Sequence, residues 1–134
     1  MAPSVGRWIG RGVVKGVATG LALLLGDVEI RSGRVVGQSS DLRGACLAGT
    51  VLMIPSTRGS AGAWRFLYQL KLHGTHPVAI AMRDSPDASV VQGAILAAIP
   101  IIAGLPDTLW DEIETGSRLS ADGTEGSLTR LGAG

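Results

Sequence analysis

Two short runs constrain this chain more than any other feature: "TVLMIP" at Thr50–Pro55 and "HPVAIAM" at His76–Met82. A strand with one face in water alternates apolar and polar residues. A run that stays apolar reads instead as a strand covered on both faces, the environment of a parallel sheet. Between the runs, from Ser60 to His73, Trp64, Leu67, Tyr68 and Leu72 recur at helical spacing. Gly74 suits the left-handed residue that ends a helix. Strand, helix and strand in that order predict parallel neighbours joined by a crossover helix.

The other segments fill in a layered domain. Trp8–Lys15 and Ala18–Leu25 are apolar stretches broken by Gly16 and Gly20, as expected of strands in a twisted sheet with bulges or turns. Ser32-Gly33 reads as a hairpin turn between Val28–Arg31 and Arg34–Gly37. Ser39–Gly49 is small and polar, hence a loop. Ser85-Pro86-Asp87 opens a short helix through Gln92, with Ser85 as N-cap and Pro86 in the first turn. Ala94–Ala98 and Pro100–Ala103 read as strands, Pro106–Glu112 as one helical turn, and Ser117–Ser120 with Gly126–Arg130 as a closing hairpin around "ADGTEG". Parallel strands joined by helices in one half and hairpins in the other predict one α/β domain over residues 1–134, layered β/β/α.

Composition excludes several classes. At 134 residues the chain fits one domain but is short for an enzyme that builds both walls of a cleft. Hydrophobic residues at 46%, charged residues at 17% and a net charge of +1 describe a globular protein, neither a disordered tail nor a strongly basic nucleic-acid binder. An aromatic share of 4% also argues against base-stacking platforms. Arg7, Arg11 and Lys15 ahead of "GVATGLALLLG" mimic a secretory signal, but Asp27 and Glu29 follow at once and no small-x-small cleavage site intervenes. "AILAAIPIIAGL" is too short for a bilayer, which needs roughly 20 apolar residues. With a single cysteine, Cys46, and no membrane span expected, a reducing cytoplasm is the simplest setting.

One turn carries chemistry. "IPSTRGSAGAW" leaves a buried strand and enters a helix through Arg58, Gly59, Ser60, Ala61 and Gly62. The first amides of a helix lack partners and carry partial positive charge, so such a turn favours an anion. Arg58 adds a guanidinium that can grip a carboxylate or phosphate through two bonds. Ser60 then holds a hydroxyl where an oxyanion is stabilised, as a base taking a proton from carbon requires. The same pattern also suits a plain N-cap serine beside a solvated arginine. It is neither a Walker A loop, since no Lys-Ser/Thr follows the glycines, nor a G-x-S-x-G elbow.

The stretch "SGRVVGQSSDLRGACLAGTVLMIPSTRGSAGAWRFLYQLKLHGTHPVAIAM", with "GAILAAIPIIAGLP" downstream, resembles the swivel domain or small subunit of the aconitase X dehydratases. The R-G-S step at Arg58–Ser60 is the most specific element. The resemblance implies an aconitase-like swivelling β/β/α fold and a hydro-lyase in which Ser60 is the catalytic base and Arg58 holds the substrate carboxylate or the serine alkoxide. It implies a small carboxylate-containing substrate and an aconitase X-type large subunit as partner. An iron–sulfur cluster or iron ion would belong to that subunit and not to this chain. Bacterial members dehydrate cis-3-hydroxy-L-proline, and archaeal two-subunit members (R)-5-phosphomevalonate. Here "LLLGDVEIRSG" and "QSSDLRG" stand where the archaeal pattern resembles "FWGGVDPxTG" and "HHPL", so hydroxyproline is the expected substrate and phosphomevalonate the alternative. A stand-alone anion-binding or assembly module is the alternative of another class.

The remaining candidates are weaker. Ser39, Ser40 and Asp41 stand in a loop, where substrate contact and simple turn capping are both open. Cys46 is one thiol amid small residues, a packing position before a ligand. His73 and His76 flank Gly74 without a third ligand at a clear spacing. Asp111, Glu112 and Glu114 read as a solvated acidic stretch, and exposed parts of Trp64 and Trp110 as anchors for a partner.

Overall fold

The computed structural model describes residues 7–10, 13–15, 27–37, 41–55, 63–84, 88–114, 119–122 and 127–130. Its strands are β1 (Arg7–Gly10), β2 (Val13–Lys15), β3 (Val28–Glu29), β4 (Arg34–Val35), β5 (Val51–Ile54), β6 (Ala79–Met82), β7 (Ile101–Ile102), β8 (Leu119–Asp122) and β9 (Ser127–Arg130). The helices are α1 (Ala63–Leu72), α2 (Ala88–Ala97) and α3 (Asp107–Glu112).

A four-stranded parallel sheet in the order β2-β5-β6-β7 is the centre of the molecule. Every residue of β5 and β6 is buried, and the two-residue period of a strand explains why both runs had to be apolar throughout. Leu52, Ile54, Ile80 and Met82 point to one side. There they meet Leu67 and Leu70 of α1, Val90 and Ala97 of α2, and Val28 and Val35 of the β3–β4 hairpin. Val51, Met53, Ala79 and Ala81 point to the other side, against Ile102, Leu105, Trp110 and Ile113. A separate antiparallel sheet in the order β1-β8-β9 brings the beginning and end of the chain together.

Helix α1 ends as its sequence suggests. Gly74 has φ +69, its amide donates to Lys71 O at 3.1 Å, and the Thr75 amide donates to Leu70 O at 2.9 Å. Thr75 is the buried polar residue of this region. Its hydroxyl donates to Ile30 O at 2.6 Å, tying the helix end to the hairpin. Gly33, at φ +74, lies against the same threonine.

Four expectations change. Ala94–Ala98 is no strand: Ala94–Ala97 close α2, which continues past Gln92. An all-aliphatic run carries no period to separate helix from strand, and here its exposed Ile95 and Leu96 alternate with buried Ala94 and Ala97 around a helix. Trp8–Lys15 is two strands in two sheets, because Trp8 pairs with Ala121 and Val14 with Leu52. The closing hairpin draws Ala121 and Asp122 into its ladder, opposite Leu128 and Ser127. Within the predicted Ser39–Gly49 loop, Cys46 bridges Arg34. The Ala18–Leu25 stretch and the Ser85–Pro86 start lie outside the described residues.

Candidate functional site

Arg58, Gly59, Ser60, Ala61 and Gly62, with Ser39 and Ser40, lie outside the described residues; the frame that holds the turn does not. β5 ends at Ile54, Pro55 follows, and α1 begins at Ala63. β5 and β6 run parallel with Ile54 opposite Met82, so the chain leaves both strands at the same edge of the sheet. The Asp84 amide donates to Pro55 O at 3.1 Å, and the Leu105 amide to Met82 O at 3.0 Å. Three segments, following β5, β6 and β7, therefore converge at the carboxyl edge, where open parallel sheets place their ligands. The Arg58–Ser60 step belongs to the first of them.

Asp41 is exposed in the turn at residues 41–44. That turn belongs to the hairpin layer: the Gly44 amide donates to Val35 O at 2.8 Å, and Arg34 Nη1 donates to Gly44 O at 2.7 Å.

The carboxyl edge also holds a residue that the sequence pattern did not single out. Arg83 directly follows β6, is exposed, and sets its guanidinium 5.4 Å from the centre of the Trp110 ring. Trp110 is only 5% exposed and belongs to the second core, so it is no free anchor for a partner. The Trp64 side chain lies outside the described residues. An arginine after a strand looks like ordinary loop charge; its significance needs Trp110, distant in sequence and brought near by α3. Asp111, Glu112 and Glu114 are exposed, the solvated stretch expected.

The possible metal ligands are scattered. Cys46 is half-buried with Sγ 3.4 Å from Ser32 O. His73 is exposed, with Nδ1 2.9 Å from Gln69 O at the end of α1. His76 has a buried Nδ1 without a hydrogen-bond partner, and burial, helped by nearby Lys71, holds its pKa below the ordinary histidine value. Among the described residues no group of three or more His, Cys, Asp or Glu could hold a metal. This donor set does not fit an iron–sulfur cluster. No described helix is long and apolar enough to cross a membrane.

A parallel sheet with α1, α2 and a hairpin on one side, α3 on the other, and an antiparallel sheet of residues 7–10, 119–122 and 127–130 defines a small α/β domain of the swivelling kind, its ligand edge carried on loops after the strands. Residues 7–130 match the aconitase X swivel domain, and the chain belongs to that family. It is 32% identical over 132 residues to the phosphomevalonate dehydratase small subunit of Pyrococcus furiosus, covering 93% of this chain and 96% of that one. The phosphomevalonate dehydratase small subunit of Methanosarcina acetivorans is 32% identical over 126 residues, 92% of this chain and 87% of that one. Among solved structures, the holo form of Thermococcus kodakaraensis aconitase X superposes with a TM-score of 0.84 at 28% identity, covering 97% of this chain and 94% of that chain. These names favour the phosphomevalonate alternative over the expected hydroxyproline.

Proposed function

We propose that the chain is the small subunit of a heteromeric aconitase X-type hydro-lyase acting on phosphomevalonate, with Ser60 as the base. The observation that carries the substrate is the kinship, over nine-tenths of the chain, to small subunits named for that dehydratase. The departures at "LLLGDVEIRSG" and "QSSDLRG" weigh less than similarity along the full length.

The proton to be removed sits beside a carboxylate and is weakly acidic, so the base must work in a closed cleft where cations offset the developing enolate charge. Ser60 takes that proton at Oγ, while Arg58 and the first amides of the helix hold the carboxylate and lower the cost of the seryl oxyanion. An iron or iron–sulfur centre is expected on the partner large subunit, as is the opposite wall of the cleft. This chain's share of the reaction is binding and the proton.

The test is co-expression with an aconitase X-type large subunit, followed by assay of water loss from 5-phosphomevalonate and from cis-3-hydroxy-L-proline. The complex should turn over the former, and Ser60→Ala should lower kcat by about 10²–10⁴-fold with assembly intact. Turnover of hydroxyproline alone would restore that substrate and keep the mechanism. Turnover that survives Ser60→Ala would reduce the turn to an anion-binding module. The isolated chain should be inactive, and robust activity from it would contradict the two-subunit assignment.

A further inference from the structure

We infer that Arg83, laid against the Trp110 ring, is a second cation of the substrate cleft and grips the anionic group remote from the reacting carbons, the phosphate of a phosphomevalonate-type substrate. The inference rests on the substrate assignment above for the identity of the anion, though not for the existence of the site.

Position comes first. Arg83 leaves the sheet immediately after Met82, opposite Ile54, and the Asp84 amide binds Pro55 O at 3.1 Å. Neighbouring strands lie about 4.8 Å apart, so the segment carrying Arg83 and the one carrying Arg58 and Ser60 open at adjacent points of one edge. In parallel sheets that edge is where ligands sit.

The state of the guanidinium comes second. Tryptophan is the strongest aromatic partner for a cation, and burial in the core fixes this ring. The guanidinium carbon sits over the ring at 5.4 Å from its centre, and a cation held over an aromatic face keeps its N–H groups available for an anion. Among the described residues Arg83 makes no ion pair and no hydrogen bond; the ring contact is its sole interaction. Asp84, Asp107, Asp111 and Glu112 are exposed nearby in the chain or on the helix of Trp110, yet none neutralises it. A cation held over a ring at a ligand edge, without an ion pair among the described residues, is preorganised for a phosphate or carboxylate.

Chemistry assigns the two anions. The proton removed lies beside the carboxylate, so base and carboxylate clamp belong in one turn, that of Ser60 and Arg58. The other charged end of the substrate then reaches toward the adjacent segment, where Arg83 stands.

The experiment uses the assembled two-subunit enzyme and, in parallel, the full small-subunit chain. Arg83→Gln should raise KM for 5-phosphomevalonate by about 10–100-fold, the loss of a charge-assisted fork, with kcat changed by less than about threefold. Arg83→Lys should recover part of the loss, since a point charge replaces a fork. In the isolated chain, inorganic phosphate should shift the Arg83 Nε–H resonance, a readout that a merely structural stack would not move. An active complex whose KM ignores Arg83→Gln overturns the inference and leaves the substrate assignment standing. A complex inactive on phosphomevalonate, with phosphate still shifting the Arg83 resonance, overturns the substrate assignment and upholds the anion site. No activity and no shift overturn both.

Discussion

Gly33 and Gly74 have nearly the same backbone conformation, φ +74 and +69, in different surroundings. A Cβ on Gly74 meets nothing within 4 Å, whereas one on Gly33 would sit 2.7 Å from Thr75 O and 3.1 Å from Thr75 Cβ. Both alanine substitutions bear the left-handed penalty of about 1–2 kcal/mol. Gly33→Ala must also push apart the hairpin and the end of α1, and should lose about 1–2 kcal/mol more than Gly74→Ala. Urea midpoints at unchanged m-value measure the pair, and equal losses would show that the Gly33–Thr75 contact is slack. His76 gives a pH prediction. Its pKa is lowered in the fold, chiefly by burial and then by Lys71, so the unfolded chain binds more protons between the folded value and the ordinary value of about 6.5. Stability should hold above that range and fall as pH drops through it. His76→Asn, which does not titrate there, should flatten this part of the profile in urea titrations at pH 7.5, 6.0 and 5.0. An equally steep loss in the variant would place the pH dependence elsewhere.

At the scale of elements, Ala98 marks the end of α2 by strain. It is the described non-glycine residue with positive φ, +55, and it closes the helix as glycine usually does: the Ile99 amide donates to Ala94 O at 2.9 Å and the Ala98 amide to Ile95 O at 3.3 Å. Ala98→Gly should therefore stabilise the protein by a few tenths to about 1 kcal/mol, the relieved strain less the greater freedom of the unfolded chain. A lower melting temperature for Ala98→Gly would show that the alanine methyl earns its place by packing. The same helix shows what was legible in the sequence. β5, α1 and β6 could be read because burial on both faces and a helical period each leave a pattern, and Gly74 marked the helix end. Ala94–Ala98 could not, since β-like composition and a buried helix face look alike over so short a run. Trp8–Lys15 hid a change of sheet, because sheet membership is decided by partners more than a hundred residues away, Trp8 with Ala121. At the site, the strand before Arg58–Ser60 and the body of the helix after it were legible, while the predicted helix start at Ser60 lies outside the described residues. Arg83 was not, because only the fold brings it onto Trp110.

For the whole molecule, the two cores share one sheet. Leu52 points into the layer of α1 and α2, while neighbouring Met53 points toward Trp110 and α3, and the backbone between them is a single peptide of a central strand. Damage to either core should therefore propagate through β5 and β6, and unfolding should be one cooperative transition. Leu52→Ala, at a fully buried position, should cost about 2–5 kcal/mol. Fluorine NMR of 5-fluorotryptophan-labelled protein reports Trp110 in the opposite core, and far-ultraviolet circular dichroism reports the helices. Both should shift to the same lower urea midpoint in Leu52→Ala. If the Trp110 signal keeps its wild-type midpoint while the helical signal moves, the layers unfold separately. The Arg83–Trp110 contact would then survive loosening of α1 and α2, the layer on the opposite face of the sheet. Coincident transitions would instead mean that both layers unfold as one unit through β5 and β6, the strands that lead to Pro55 and to Arg83.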